Sequence, residues 1–402
     1  MNPQPNSFLA EANELFSYSR EIRRDLHRNP EIGFQEVRTA GIVARELGGL
    51  GLEVSTGIGG TGVVALLEGE KPGPVVLLRF DMDALPIQEE TGAEYASINP
   101  GVMHACGHDG HVAVGLTVAR ILHAHQDELS GTVKFVFQPA EEALGGAKRI
   151  IEAGVLRNPT PDYCLGLHLW NTKPLGWLGL TSGAVMAGAD LFTIKINGKG
   201  GHAAMPEITR DPIVTAAMLV NALQSIVSRN VSPMQSAVLS VTRINGGETY
   251  NVIPSQVVLA GTVRTYNPTT RDLILKRMQK QVDLVCQAME CSGELEINHL
   301  TPAVVNDPWV TEHLQALAQN VLPSAQIDTD YHTTISEDMA YLMQDHRSCF
   351  FFIGSANPVK GLIYGHHHPR FDFDEAALPN AAALMAAAAY NFLQENLPDQ
   401  GN

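Results

Sequence analysis

The sequence predicts an α/β protein: a mixed, mostly parallel sheet flanked by helices, interrupted by an inserted ferredoxin-like α+β domain. Three observations predict it. Apolar strand-like runs alternate with helical periodicity through the first part of the chain, the signature of a sheet covered on both faces. The pattern then changes across Ser182–Ala189, a stretch of small residues containing Gly183 and Gly188. Beyond it the order becomes β-α-β-β-α-β, the ferredoxin-like arrangement, before the earlier pattern resumes.

In the first part, helical periodicity covers Ala10–Arg28 and Val37–Leu50. Buried-type strands are expected at Gly62–Leu67 and Val75–Phe80, a helix at His111–His125, and strands at Thr132–Phe137 and Tyr163–His168. The insert reads as strand Leu191–Asn197, helix Pro212–Ser228, strands Ala237–Arg243 and Gln256–Arg264, helix Arg271–Met289 and strand Glu294–Leu300. A helix at Pro308–Asn320, a strand at Cys349–Ile353 and an alanine-rich helix at Asp374–Leu393 complete the body. The expected partition is 1–186 and 301–402 for the larger domain, with 187–300 inserted. In such two-domain chains the substrate usually binds between the domains.

The 402 residues are 45% hydrophobic and 17% charged, enough to bury a sizeable core. A net charge of −16 excludes the basic face that a nucleic-acid partner requires. No apolar run is long enough to span a bilayer, so no membrane partner is expected. The opening MNPQPNSFLAEANELF lacks a basic segment followed by a long apolar core, so no secretory leader is expected. Cys106, Cys164, Cys286, Cys291 and Cys349 are odd in number and scattered, which suits a reducing cytoplasm.

The chemistry concentrates in MHACGHDGH, where His104, Cys106, His108, Asp109 and His111 fall within one Gly-punctuated stretch. QPAEE follows an apolar strand and ends it in Glu141 and Glu142. Soft, imidazole and carboxylate groups gathered at strand ends are what a catalytic divalent-metal site needs. Adjacent glutamates point different ways, so one can bind metal while the other stays free as a general base. RFDMDALP places Asp81 and Asp83 at the end of another strand, where Asp83 is expected to orient a ligand imidazole. CLGLHLW sets His168 at a third strand end, and YGHHHPRFDF offers His366, His367 and His368, of which spacing alone does not choose a ligand. In the insert, His202 of KGGHAAMPE reads by spacing as a turn-capping loop residue. Asn251 in YNVIPS and Arg264 in GTVRTY are candidates for gripping a substrate carboxylate, although either fits a structural role on a strand.

MHACGHDGH, QPAEE, GLH and HHPRFDF together resemble the amidohydrolase branch of the dimetal aminoacylase/carboxypeptidase family, which includes hippurate hydrolase, N-acyl-amino-acid amidohydrolases and auxin-conjugate hydrolases. The likeness extends to RRDLHRNPEIGFQE near the start and GKGGHAAMPE in the insert. It implies a zinc-exopeptidase-like catalytic domain and an inserted lid and dimerisation domain. It also implies two divalent ions per subunit (Zn, Mn, Co or Ni), with Cys106 bridging them. His108, Glu142 and His168 match further ligands, and the His two positions before a Pro selects His367. Glu141 matches the general base. His202 matches a histidine that stabilises the developing oxyanion, often from a partner subunit. Where Cys106 stands, other branches carry Asp, so this site should be softer.

The implied reaction is hydrolysis of an N-acyl-amino acid by metal-activated water, with Glu141 moving the proton to the leaving amine. Closure of the insert would bring in His202 and exclude water. A dipeptidase or carboxypeptidase acting on short peptides is the near alternative. A homodimer, or a higher homo-oligomer, is expected from an exposed edge or helix face of the insert. Two rivals differ in class. A Cys106 nucleophile activated by His104 or His108 leaves the paired glutamates unexplained. A non-catalytic protein with a structural metal would close the site with four ligands and has no use for Glu141.

Overall fold

A computed structural model describes residues 5–142 and 145–394. The chain forms two compact units, one from 1–183, 305–332 and 338–402, the other from 184–304 and 333–337. Among the described residues no helix is long and apolar enough to cross a membrane.

The first unit opens with helices α1 (Pro5–Glu14), α2 (Phe16–Arg28) and α3 (Val37–Gly49). The single helix expected over Ala10–Arg28 is thus two, with Leu15 between them. Strands β1 (Glu53–Ile58), β2 (Gly62–Glu68) and β3 (Lys71–Asp81) follow, then α4 (His108–Ala124), β4 (Ser130–Gln138), α5 (Gly146–Glu152) and β5 (Tyr163–Pro174). They join an eight-stranded sheet ordered β1, β2, β4, β3, β5, then Arg347–Ala356, Trp177–Gly179 and Gln326–Asp328. The centre is parallel, β4 to β3 to β5 to Arg347–Ala356, while β1, β2 and β4 pair antiparallel. The fold is therefore α/β with a mixed sheet whose parallel strands carry continuous apolar runs, as strands covered on both faces must.

Helix α4 begins three residues earlier than expected, at His108, because Gly107 just before it adopts a left-handed conformation (φ 89°) that favours glycine. Gly115 lets α4 lie close against the sheet, since a Cβ there would stand 2.6 Å from the Phe80 ring. The helix Ala377–Gln394 belongs to the same core. Its alanines 381–383 and 386–389 are all buried, so small side chains allow close approach along its length.

The second unit has a four-stranded antiparallel sheet ordered Ala237–Asn245, Gln256–Thr265, Gly188–Asn197 and Ser292–Thr301. Helices Pro212–Asn230 and Pro268–Ala288 share its core, packing Leu219, Leu223, Ile274 and Met278 against Phe192, Ile194 and Leu259. Both helices start at a side-chain cap, Asp211 and Asn267, followed by proline at the first helical position. This is the ferredoxin-like arrangement. Beside it a two-residue ladder pairs Gly201–His202 with Val252–Ile253.

Candidate metal centre

The parallel strands of the first unit end at one edge, and Cys106, His108, Glu141, Glu142, His168 and His367 gather there. Asp81 closes β3, with Asp83 two residues on, and the Glu141–Glu142 turn follows β4. His108 is the first residue of α4. His168 was expected at a strand end, but β5 runs on to Pro174. His168 sits in mid-strand, beyond Gly166, the last residue of β5 paired to β3. His367 comes from the loop before the last helix, in a left-handed conformation (φ 64°), its N–H donating to Ala105 O at 2.8 Å.

Two groups of ligand atoms form, and they share Cys106. Cys106, His108 and His168 place a sulfur and two imidazole nitrogens within 4.8 Å of one another, and so do the ligand atoms of Cys106, Glu142 and His367. Cys106 Sγ lies 3.5 Å from His168 Nε2, and His367 Nε2 lies 3.1 Å from Glu142 Oε1. Glu141 joins Glu142 and His108 in a third such group.

The tautomers are set by what each ring does with its other nitrogen. His168 Nδ1 donates to Leu169 O at 2.8 Å, which leaves the Nε2 lone pair facing Cys106. His108 Nδ1 donates to Asp83 O at 2.9 Å, and its Nε2 is buried without a hydrogen bond among the described residues. The backbone carbonyl of Asp83 is thus the closer partner, with its carboxylate at 3.3 Å, while the other oxygen of that carboxylate accepts the Glu142 N–H at 3.0 Å. His111, one helical turn from His108, has both nitrogens engaged. Nδ1 meets Asp81 Oδ1 at 2.5 Å and Nε2 accepts the Leu169 N–H at 3.0 Å. His111 therefore offers no free lone pair, although it stands in the same motif.

The electrostatics point the same way. Burial opposes charge on His108, but Asp81, Asp83 and Glu142 outweigh it and raise the imidazole to about 10. Burial, with Glu142, Glu141 and Asp81, pushes the Cys106 thiol well above its usual value. Burial also opposes charge on Asp81, yet His108, His111 and Arg79 hold its carboxyl well below the usual range. Asp81, Asp83, Glu141 and Glu142 thus crowd negative charge around His108 and Cys106, which a divalent cation held by His108 Nε2 and Cys106 Sγ would balance. The donor set of thiolate, imidazole and carboxylate fits Zn, Mn, Co or Ni.

Some supporting residues were not legible in the sequence. Arg79, fully buried, donates to Asp81 Oδ2 at 2.6 Å, Gln138 Oε1 at 2.9 Å and Asp338 Oδ1 at 3.1 Å. Asp338 also accepts from Ala147 N at 2.9 Å, and its own N–H stands 3.4 Å from Glu141 Oε1. Arg23 and His27 of RRDLHRNPEIGFQE bind Asp109 Oδ2, both at 2.8 Å, and so seat the first turn of α4. The motif was visible, but nothing in spacing joins α2 to α4.

The matching family model is the peptidase family M20/M25/M40, over residues 77–391. The chain belongs to this family. Among relatives, an N-acetyl-L-cysteine deacetylase of Bacillus subtilis is 39% identical over 93% of this chain and 88% of its own length. The IAA-amino acid hydrolase ILR1-like 4 of Arabidopsis thaliana is 37% identical over 97% of this chain and 90% of its own. Among solved structures, a dinuclear metal binding peptidase from the M20 family of Bacillus subtilis superposes with a TM-score of 0.83 at 34% identity, covering 95% of this chain and 99% of that one. The MHACGHDGH, QPAEE and HHPRFDF motifs all fall within the matched residues.

The remaining candidates of this M20 chain lie in the second unit. His202 is exposed, and its Nδ1 accepts the Ala204 N–H at 3.1 Å, so the neutral ring carries its proton on Nε2. Asn251 adjoins it, its carbonyl accepting the Ala203 N–H at 3.0 Å and its side chain held by Thr249 Oγ1 at 3.1 Å. Arg264 stands on Gln256–Thr265 and donates to Ser336 Oγ at 2.7 Å.

Proposed function

We propose that this M20 enzyme hydrolyses the amide bond of N-acyl-amino acids, hippurate-like or related conjugates, to a carboxylic acid and a free amino acid. The observation that carries the reading is the pair of ligand groups sharing Cys106 with Glu141 beside them. Cys106, His108 and His168 would hold one divalent ion, and Cys106, Glu142 and His367 the second. When bound, the two ions would acidify a water and polarise the substrate carbonyl. Glu141, beside Glu142 and His108, takes the proton and passes it to the leaving nitrogen. His202, with its proton on Nε2, is assigned the donor to the developing oxyanion. Arg264 and Asn251 are assigned to the substrate carboxylate, the fixed charge of the product amino acid.

A short peptide presents the same amide and carboxylate, and likeness to an M20 peptidase supports a dipeptidase or carboxypeptidase as the second reading. The second unit is assigned the roles of lid and dimerisation domain. A homodimer is supported by exposed apolar side chains on that unit, Met205, Ile208, Ile213, Val214, Met218 and Val252. A cytoplasmic setting suits five cysteines that form no disulfide. The test is to strip the protein, reload it separately with Mn, Zn, Co and Ni, and assay N-acetyl, N-aroyl and indole-acetyl amino acids beside dipeptides. The reading expects release of free amino acid from the N-acyl substrates, lowered by about 10³-fold in Glu141→Gln with metal retained. Cleavage of dipeptides alone would favour the second reading, and metal binding without cleavage would overturn both.

A further inference from the structure

The turn that presents Glu141 and Glu142 is not self-supporting. Ala140, fully buried, takes a left-handed conformation (φ 54°) that side chains other than those of Gly, Asn and Asp rarely adopt. What holds it there comes from far away in the sequence. The Ala140 N–H donates to Glu36 Oε1 at 2.9 Å, and the other carboxylate oxygen accepts from Thr61 Oγ1 at 2.5 Å. Glu36 is fully buried, where a carboxylate needs such partners.

Glu36 immediately precedes α3, where a carboxylate normally caps the helix, yet its side chain makes no capping bond. Glu31 does that work instead, its two oxygens accepting Arg38 N at 2.9 Å and Thr39 N at 2.8 Å. The two glutamates of NPEIGFQE are thereby divided, one closing the helix and one reaching the turn. Two residues past Ala140, the Glu142 N–H is held by Asp83 at 3.0 Å. The backbone across Glu141 is therefore pinned on both sides by carboxylates.

We propose that Glu36 is a positioning residue that fixes the Ala140 turn and, through it, the orientation of the Glu141 carboxylate. The catalytic half of this statement rests on the amidohydrolase reading above, whereas the structural half does not. Glu36 touches no reacting atom. Its effect is on where Glu141 points, and a small misplacement of a catalytic group costs up to about 10²-fold in rate.

The experiment compares Glu36→Met, unbranched and with only a weakly accepting sulfur, with Glu36→Gln, which keeps an oxygen acceptor for the Ala140 N–H. Metal content, melting temperature, kcat and KM on an N-acyl-amino acid, and amide hydrogen exchange around Ala140 are read on the metal-loaded full chain. We expect Glu36→Met to keep its metal, speed exchange around Ala140 and lower kcat by about 30-fold with KM little changed. Glu36→Gln should recover most of both effects. If Glu36→Met does not fold, Thr61→Val should show the same changes in milder form. Unchanged exchange, or a lower melting temperature with kcat per metal-loaded site intact, would overturn the proposal. If the parent protein cleaves no amide, the amidohydrolase reading fails by itself, and the exchange comparison still decides whether Glu36 holds the turn.

Discussion

The sheet edge of the first unit and the His202 ladder of the second assemble polar groups by opposite means. At the sheet edge the atoms that would not meet a ligand are tied down, His108 Nδ1 and His168 Nδ1 to carbonyls and the Glu142 N–H to Asp83, while His108 Nε2, 3.7 Å from Asp81 Oδ2, makes no hydrogen bond among the described residues. At the ladder an exposed histidine is held by one backbone N–H and a two-residue strand. Buried His108 and His168, each fixed through its other nitrogen, present their donors ready-made, whereas His367 of the same site is exposed. The exposed His202 donor is prepared only in its tautomer. The same contrast separates His108 from His111 within a single helical turn.

If this comparison holds, the largest effect belongs to the buried edge. His108→Ala should abolish turnover and lower bound metal, measured by elemental analysis after desalting, and an undiminished count would break the comparison. His202→Ala should lower kcat by about 10²- to 10³-fold while metal content and melting temperature stay at parent values. A drop in bound metal instead would place His202 among the ligands. His111→Phe is expected to keep metal but lose stability, about 1–3 kcal/mol for each of Asp81 Oδ1 and the Leu169 N–H left unpaired. Denaturant unfolding measures it.

The smallest effect concerns Asp374, beyond the His367 loop. Burial opposes its charge, but hydrogen bonds from Asn357 Nδ2, Lys360 Nζ and Ala376 N hold its carboxyl below the usual value. A carboxylate with a depressed folded pKa contributes stability that is present above its unfolded value, about 3.9, and lost as pH falls through the lower folded one. Melting temperature against pH should therefore lose part of its acid slope below about pH 4 in Asp374→Asn. An unchanged slope would remove Asp374 from the acid response.

The fold was legible where local pattern suffices. Alternating apolar runs announced the parallel strands, and the change of rhythm after Ser182 announced a sheet of different order. The polar residues of the site were legible because Cys106, His108, Glu141 and Glu142 cluster in short motifs. Legibility ended where partners are distant in sequence. Nothing local tells that His111 gives both nitrogens to Asp81 and Leu169, or that Asp83 meets His108 chiefly through its carbonyl. The start of α4 lies before the expected His111 for a local reason, because left-handed Gly107 opens the helix at His108. Glu36 and Arg79 were unreadable, since their contacts to Ala140 and to Gln138 and Asp338 are created only by folding.

The central claim is that the sheet edge binds two divalent ions through a shared Cys106. Equilibrium metal counting per chain, on the parent and on Cys106→Ala, tests it most directly. The account predicts two tightly held ions in the parent and loss of both in Cys106→Ala, because each ligand group contains that sulfur. A parent that retains no ion, or a variant that retains two, would contradict it.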